Sequence, residues 1–208
     1  MEEPAAAFSE YRVRRDLDFD PAATAVLVID MLNDFLDRDG AMPLPEGQAL
    51  YAPIRQLLAA ARENEMPVIW VCDDHPPDDK EFDKRAVHCL RGSWGAEIVP
   101  GLGRRGDEYR VPKRRYSGFF DTDLDLRLRE LGVRHVVLTG VVTNICVRST
   151  AHDAFFRGYD VVVPEQCVAA TSEREQASSL YDIDTHFGTV VGLDSVLDII
   201  RQRTGGPD

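Results

Sequence analysis

The feature that most constrains the fold is a set of short apolar runs that alternate with helical patterns. The runs are rich in β-branched residues, which is typical of strands buried on both faces of a parallel sheet. They comprise residues 25–29, 67–71, 135–139, 160–163 and 189–191. Helical spacing of apolar residues covers 47–64, 121–131, 144–157, 173–186 and 194–202. This alternation predicts an α/β fold, namely a doubly wound, mostly parallel sheet of five or six strands with helices on both faces.

The length of the chain favours one domain. Its 208 residues, 44% of them hydrophobic, are enough to bury a sizeable core. We predict an N-terminal lead-in over 1–22, a single α/β domain over 23–203 and a frayed tail over 204–208.

Charge and cysteine usage narrow the possible partners and compartment. A net charge of −12 disfavours nucleic acid and anionic membrane surfaces. No apolar run approaches the roughly 20 residues that span a bilayer, and the acidic N-terminus does not read as a secretory signal. The four cysteines lie far apart and are expected to be free thiols of a cytoplasmic protein.

Ligand sites in doubly wound folds lie beyond the carboxyl ends of the strands. Here that rule selects the residues just after Ile29, Val71 and Thr139. The stretch 73–120 has little regular pattern and is rich in Pro, Gly, Asp and Arg. Because so long a loop in a compact domain is usually functional, we expect it to contribute to the site.

Cys146 is the candidate nucleophile, because it falls in the first turn of the helix after the 135–139 strand. The helix dipole there favours the thiolate, and free backbone N–H groups can hold an oxyanion. The alternative is a buried core cysteine. His152 follows six residues later, about 240° around the helix, and is expected to point away.

Asp30 is the better candidate base, since it ends the first strand at the same sheet edge; its alternative role is a turn or helix cap. A carboxylate beside a thiol needs a cation, and Lys113 is a candidate. Lys113 also belongs to a basic cluster with Arg104, Arg105, Arg110, Arg114 and Arg115. That cluster is equally consistent with a solvated face.

A second constellation follows the strand 67–71. Alternation along the chain places Asp73 and His75 on one face, while Cys72 points the other way. With His88, and Glu81 as a further ligand, this set offers ordinary metal-binding chemistry. One alternative is a zinc-ribbon-like site of Cys72, His75, His88 and Cys89, disfavoured by that alternation. The other is a polar loop without a metal.

Three ordered motifs resemble the isochorismatase-like cysteine hydrolases. They are Asp30-Met-Leu-Asn-Asp-Phe35, Lys113-Arg-Arg-Tyr-Ser-Gly-Phe119 and Gly140-Val-Val-Thr-Asn-Ile-Cys-Val147 with Thr150-Ala-His-Asp-Ala154 and Arg157-Gly-Tyr159. The resemblance spans about 24–195. It implies a catalytic triad of Asp30, Lys113 and Cys146. It also implies a cis Val141–Val142 peptide that aims the Val142 N–H, with that of Cys146, at the oxyanion. True isochorismatases lack the cysteine, so its presence favours amide hydrolysis.

The segment Asp73-Asp-His-Pro76, with His88-Cys89, Gly92-Ser-Trp-Gly-Ala-Glu97 and Pro100-Gly-Leu102, looks like the metal-binding region of nicotinamidases. The resemblance implies a divalent metal, zinc first and iron or manganese otherwise, bound by Asp73, His75 and His88 with Glu81. In that subfamily the metal holds the pyridine nitrogen. Asp74 departs from the aromatic residue that many nicotinamidases carry there. The candidates for a ring-stacking surface are Phe35, Trp94, Tyr116 and Phe119.

These observations predict a cysteine-dependent nicotinamidase. The alternative within the enzymes is a metal-free amidase acting on N-carbamoyl, ureido or maleamate-type amides, with the arginine-rich stretch 104–115 binding a substrate carboxylate. A different class is a non-catalytic member that uses the fold for binding. The resemblance also implies a homodimer or homotetramer and a small-molecule amide as the partner.

Overall fold

The computed structural model describes residues 17–202. Most of the predicted lead-in and all of the predicted tail therefore lie outside the described residues. The last part of the lead-in packs against the domain. Phe19 is buried, and Pro21–Ala23 forms a 3-10 turn that the Asp20 side chain caps. The domain bounds 23–203 stay a prediction.

The sheet has seven strands, and every neighbouring pair is parallel. The strands are β1 (Thr24–Ile29), β2 (Val68–Asp73), β3 (Tyr109–Lys113), β4 (His135–Val141), β5 (Asp160–Pro164), β6 (Val168–Ala169) and β7 (Thr189–Val191). Their spatial order is β3-β2-β1-β4-β5-β7, with β6 paired to β4. The predicted α/β class is confirmed. The expected five or six strands become seven because β3 and β6 were not anticipated.

Six α-helices occur in the described part of the chain. They are α1 (Asn33–Leu36), α2 (Tyr51–Glu63), α3 (Leu124–Glu130), α4 (Arg148–Phe156), α5 (Glu173–Asp182) and α6 (Leu193–Gln202). π-helical turns at Thr143–Val147 and Ile183–Phe187 precede α4 and follow α5. None of the described helices is long and apolar enough to cross a bilayer.

The sheet is buried on both faces, because its side chains alternate between two apolar cores. In β1, Val26 and Val28 face the core that contains α2 and α6. Leu27 and Ile29 face the opposite core, which contains α3 and α4. This arrangement explains why the strands read as unbroken apolar runs.

The strand register brings distant parts of the chain to one edge of the sheet. Ile29 of β1 pairs with Val71 of β2 and with Gly140 of β4. Asp73 at the end of β2 pairs with Lys113 at the end of β3. The side chains at these carboxyl ends are therefore neighbours although they are far apart in sequence.

Gly140 permits the close approach of β4 to β1. Its φ is +103°, and an added Cβ would overlap the Ile29 carbonyl oxygen. We expect Gly140→Ala to lower the free energy of unfolding by about 3 kcal/mol or more. Chemical denaturation measures this change. The control Gly106→Ala, which meets open space, is expected to behave as the wild type; equal stability of the two variants would contradict the prediction.

Candidate active site

Lys113 occupies the centre of the site as a buried ammonium, only 1% exposed. Its Nζ lies 2.8 Å from Asp30 Oδ2 and 3.6 Å from Cys146 Sγ. It also donates a short hydrogen bond to Asp73 Oδ1. Two of its partners, Asp73 and Cys146, accept hydrogen bonds, and the third, Asp30, forms an ion pair with it. The solvated-face interpretation of Lys113 is therefore wrong.

Asp30 is held at the end of β1 with a positive φ of 49°. Its Oδ1 accepts a hydrogen bond from the Asp73 backbone N–H at 2.8 Å, which fixes the carboxylate towards β2. Burial and the neighbouring Asp73 carboxylate raise the pKa of Asp30 to about 6, although Lys113 acts to lower it. The group is thus a base matched to neutral pH.

Asp73 is the more acidic of the two carboxyl groups. Burial acts to raise the pKa of Asp73, but the Lys113 ammonium outweighs it. The pKa of Asp73 therefore lies well below its usual range, and this carboxylate stays charged. Lys113 between the two carboxylates has a pKa above its ordinary value for the same reason, in spite of its burial.

Cys146 lies in the π-helical turn Thr143–Val147, and its carbonyl accepts a hydrogen bond from Thr150 Oγ1 at 2.7 Å. Burial raises the pKa of the Cys146 thiol well above its ordinary value, against the lowering effect of Lys113. This shift opposes the lowering that the helix dipole is expected to give, so a base near the sulfur is needed to favour the thiolate. The Val141–Val142 peptide bond is cis, as the resemblance implies.

His152 points away from this centre, as the helical geometry predicts. Its ring packs 3.7 Å from that of Phe187, measured between centroids. The adjacent base of the thiol is therefore Asp30.

Asp73 also belongs to a second group, with His75 and His88. The Nε2 atoms of His75 and His88 each lie 3.7 Å from one Asp73 oxygen. One ligand atom from each residue lies within 4.8 Å of the others, and all three residues are buried. Glu81 stands at the edge of this group, with Oε1 3.9 Å from His88 Nε2.

The hydrogen bonds of the two imidazoles fit a bound cation. His88 Nδ1 donates to the Ala86 carbonyl at 2.7 Å, so its neutral form presents a bare Nε2. His75 Nδ1 lies 3.2 Å from Asp79 Oδ2, and the buried His75 Nε2 has no hydrogen-bond partner. Two imidazole nitrogens and one carboxylate facing one point are a donor set for zinc or a similar ion.

The structure does not form the zinc-ribbon-like site that was the alternative for Cys72, His75, His88 and Cys89. Cys72 is buried in the core that contains α2 and α6, and Cys89 Sγ points to the Gly95 carbonyl. Both are free thiols, as are Cys146 and Cys167. A further metal-like grouping of Asp30, Asp73 and Cys146 also exists. The Lys113 ammonium contacts all three of its members, so it already supplies the cation there.

A cavity of about 370 Å³ opens onto both groups. Phe35 and Tyr116 line it, as expected for a ring-stacking surface. Trp94 and Phe119 do not. The Trp94 side chain is exposed at the start of a 3-10 turn, and Phe119 stacks on Tyr159 in the core. They were misplaced because an aromatic residue in a loop carries no sign of the direction it faces.

Several lining residues were not anticipated. They are Met42, Pro43, Leu44, Pro45, Arg85, Ile145 and Thr171. The only available signal was the apolar Met42–Pro45 run so soon after the first motif. Arg85 stands three residues before His88 and lines the cavity with a guanidinium that forms no hydrogen bond or ion pair among the described residues.

The arginines of the stretch 104–115 do not face the cavity, which corrects their assignment as a substrate clamp. Arg114 and Arg115 bind the buried Asp79 carboxylate at 3.0 and 2.9 Å. Arg104 donates to the Glu108 carbonyl, and Arg110 reaches the Ala96 carbonyl. The cluster supports loop structure at this edge of the sheet.

Comparison with known proteins agrees with this geometry. A family model, the isochorismatase domain, matches residues 24–195. An isochorismatase-like hydrolase from Alkaliphilus metalliredigens is 38% identical, covering 84% of this chain and 97% of its own, with a TM-score of 0.81. An N-carbamoylsarcosine amidase from Thermoplasma acidophilum is 34% identical, with coverages of 82% and 96% and a TM-score of 0.76.

A pyrazinamidase/nicotinamidase from Streptococcus mutans is 32% identical, covering 81% of this chain and 99% of its own, with a TM-score of 0.77. The matched segment spans all of the motifs and nearly all of the sheet. The chain therefore belongs to the isochorismatase-like hydrolase family.

Proposed function

We propose that the protein is a cysteine-dependent amidase whose substrate is nicotinamide, which it converts to nicotinate and ammonia. One observation carries the proposal: Cys146 and its base Asp30 line the same cavity as Asp73 and His88, two members of the Asp73, His75 and His88 donor set. The group around Cys146 suits acyl transfer. The donor set offers a binding point for the lone pair of an aromatic nitrogen, and Phe35 and Tyr116 can pack against the ring.

In the first half of the reaction, Asp30 takes the proton of the Cys146 thiol. Lys113 holds both groups in place and stabilises the thiolate as it forms. The sulfur attacks the carboxamide carbon, and the carbonyl oxygen becomes an oxyanion. The backbone N–H groups of Val142 and Cys146 are the proposed donors to it, each worth about 3 kcal/mol.

In the second half, Asp30 returns its proton to the leaving nitrogen, and ammonia departs as the C–N bond breaks. The product is a thioester on Cys146. Asp30 then accepts a proton from water, which attacks the thioester carbon, and the C–S bond breaks. The acid leaves, and the proton goes back to the Cys146 sulfur.

Asp73, His75 and His88, with Glu81 at the edge, are the residues that would hold a divalent metal, zinc first. When bound, the ion supplies a Lewis-acidic coordination point for the pyridine nitrogen. A small-molecule amide as the partner and a homo-oligomeric state remain proposals that rest on the family resemblance.

Arg85 favours a second candidate function. A guanidinium beside the cavity, with no side-chain partner among residues 17–202, can bind a carboxylate with two parallel hydrogen bonds. A carboxylate-bearing amide, such as an N-carbamoyl amino acid or maleamate, therefore suits this chain as well. In that function Arg85 takes the role that the 104–115 arginines were expected to play.

We expect Cys146→Ala to lower ammonia release from nicotinamide by about 10⁴-fold or more, because the thioester route is removed. Ammonia assays on the variant measure this loss, with thermal unfolding as the check on folding. The control Cys167→Ala removes a buried thiol on the other face of the sheet and is expected to retain the activity. Normal turnover by Cys146→Ala would exclude the covalent mechanism.

Elemental analysis tests the donor set. We expect stoichiometric metal in the wild type, its loss in His88→Ala and its retention in His152→Ala, whose ring packs on Phe187 instead. Metal removal by a chelator is expected to raise KM for nicotinamide, because the ring loses its anchor. Full activity of a metal-free protein on nicotinamide would refute the metal role.

A substrate panel separates the two candidate functions. If the substrate carries a carboxylate, Arg85→Gln raises KM for maleamate or N-carbamoylglycine by about 10- to 100-fold, the loss of one charged hydrogen-bonding pair. Lys84→Gln removes the same charge next to it without lining the cavity and serves as the control. If anionic amides are not hydrolysed and Arg85→Gln leaves nicotinamide turnover unchanged, the second function is excluded.

A further inference from the structure

Asp79 is a fully buried carboxylate that the mechanism above does not use. Four donors surround it: His75 Nδ1 at 3.2 Å, the Glu81 backbone N–H at 3.1 Å, Arg114 Nε at 3.0 Å and Arg115 Nη1 at 2.9 Å. Its side chain has no exposed surface. A carboxylate that only stabilised the end of a loop would need fewer than these four donors.

The two arginines decide where the proton lies between Asp79 and His75. A guanidinium stays protonated in proteins, so two of them at one carboxylate keep that carboxylate ionised. An ionised carboxylate only accepts hydrogen bonds. The proton of the Asp79–His75 contact must therefore lie on His75 Nδ1.

A neutral imidazole carries one proton, so a proton on Nδ1 leaves Nε2 as a lone pair. That atom is the buried, unpartnered nitrogen that faces Asp73. His88 reaches the same state through a backbone carbonyl, that of Ala86, which accepts from its Nδ1. Of these two histidines, only His75 depends on an ionisable side chain, that of Asp79, for its tautomer.

We propose that Asp79 is a positioning residue that, neutralised by Arg114 and Arg115, fixes His75 as the Nδ1–H tautomer and so presents Nε2 to the cation site. This inference rests on the proposed metal function and deepens it. Arg114 and Arg115 directly follow Lys113 in the chain. One short segment therefore supplies the ammonium beside Cys146 and also orients the imidazole of His75.

The test uses ¹⁵N-histidine-labelled, metal-free protein at a pH where the spectra show neutral imidazoles. Long-range ¹H–¹⁵N correlations distinguish the two tautomers, and His75→Gln identifies the His75 signals. We expect the Nδ1–H tautomer in the wild type. In Asp79→Asn the amide N–H₂ is able to face Nδ1, and we expect the proton to move to Nε2.

Zinc affinity, measured by competition with a chromophoric chelator, provides the second readout. We expect Asp79→Asn to weaken zinc binding by about 10- to 100-fold, as for other groups that orient a metal-binding histidine. The control is Asp74→Asn, another buried carboxylate with an arginine partner, Arg91 at 2.7 Å, and no imidazole contact. It is expected to bind zinc as the wild type does.

The outcomes separate this inference from the function beneath it. A wild-type His75 in the Nε2–H form overturns the inference, and so does zinc affinity of Asp79→Asn equal to that of Asp74→Asn. If the wild type binds no zinc, the proposed metal function fails, while the tautomer spectra still decide the role of Asp79. The wild-type spectrum alone suffices if Asp79→Asn does not fold.

Discussion

The charge balance around one buried ammonium governs the rest of the site. Lys113 lies between two carboxylates and a thiol, all withdrawn from water. Removing one partner from such a buried group typically costs about 3–5 kcal/mol, so each member keeps the others in place. One ammonium against Asp30 and Asp73 leaves an excess negative charge. That excess lies at Asp73, where two imidazoles converge, so this oxygen pair suits a further cation. Burial, together with this neighbouring charge, raises the pKa of Asp30.

The sheet order makes this convergence possible. The four strands β3, β2, β1 and β4 are adjacent and parallel, so their carboxyl ends deliver Lys113, Asp73, Asp30 and the turn of Cys146 to one edge. Hydrogen bonding between strands fixes their register, and Asp73 stands directly beside Lys113. A rigid scaffold of this kind holds reacting groups more precisely than loops alone.

The sequence predicted the elements that the apolar pattern determines. It missed the features that depend on contacts between residues far apart in the chain. Five strands and five of the six α-helices in the described part of the chain follow from buried periodicity, and the short α1 does not. The missed strand β3 reads Tyr-Arg-Val-Pro-Lys; it is an edge strand that is largely exposed and contains proline. Asp73 and His75 follow from alternation, because their side chains approach each other. The direction of Trp94, the burial of Phe119 and the pairing of Arg114 with Asp79 depend on contacts across the fold. The triad came from family motifs, since spacing alone left Lys113 on a solvated face.

Lys113 also keeps the sulfur of Cys146 separate from the cation site. Asp73 belongs to both the Cys146 group and the imidazole group, so an ionised sulfur near it would be a soft ligand for the same cation. Lys113 stands between Cys146 and Asp73 and donates to both. Its positive charge repels a metal ion from the sulfur, and in the proposed reaction Asp30 takes the thiol proton. The ammonium therefore serves the nucleophile in two ways. It stabilises the thiolate as it forms, and it keeps the sulfur free of the metal ion so that it can attack the carboxamide carbon.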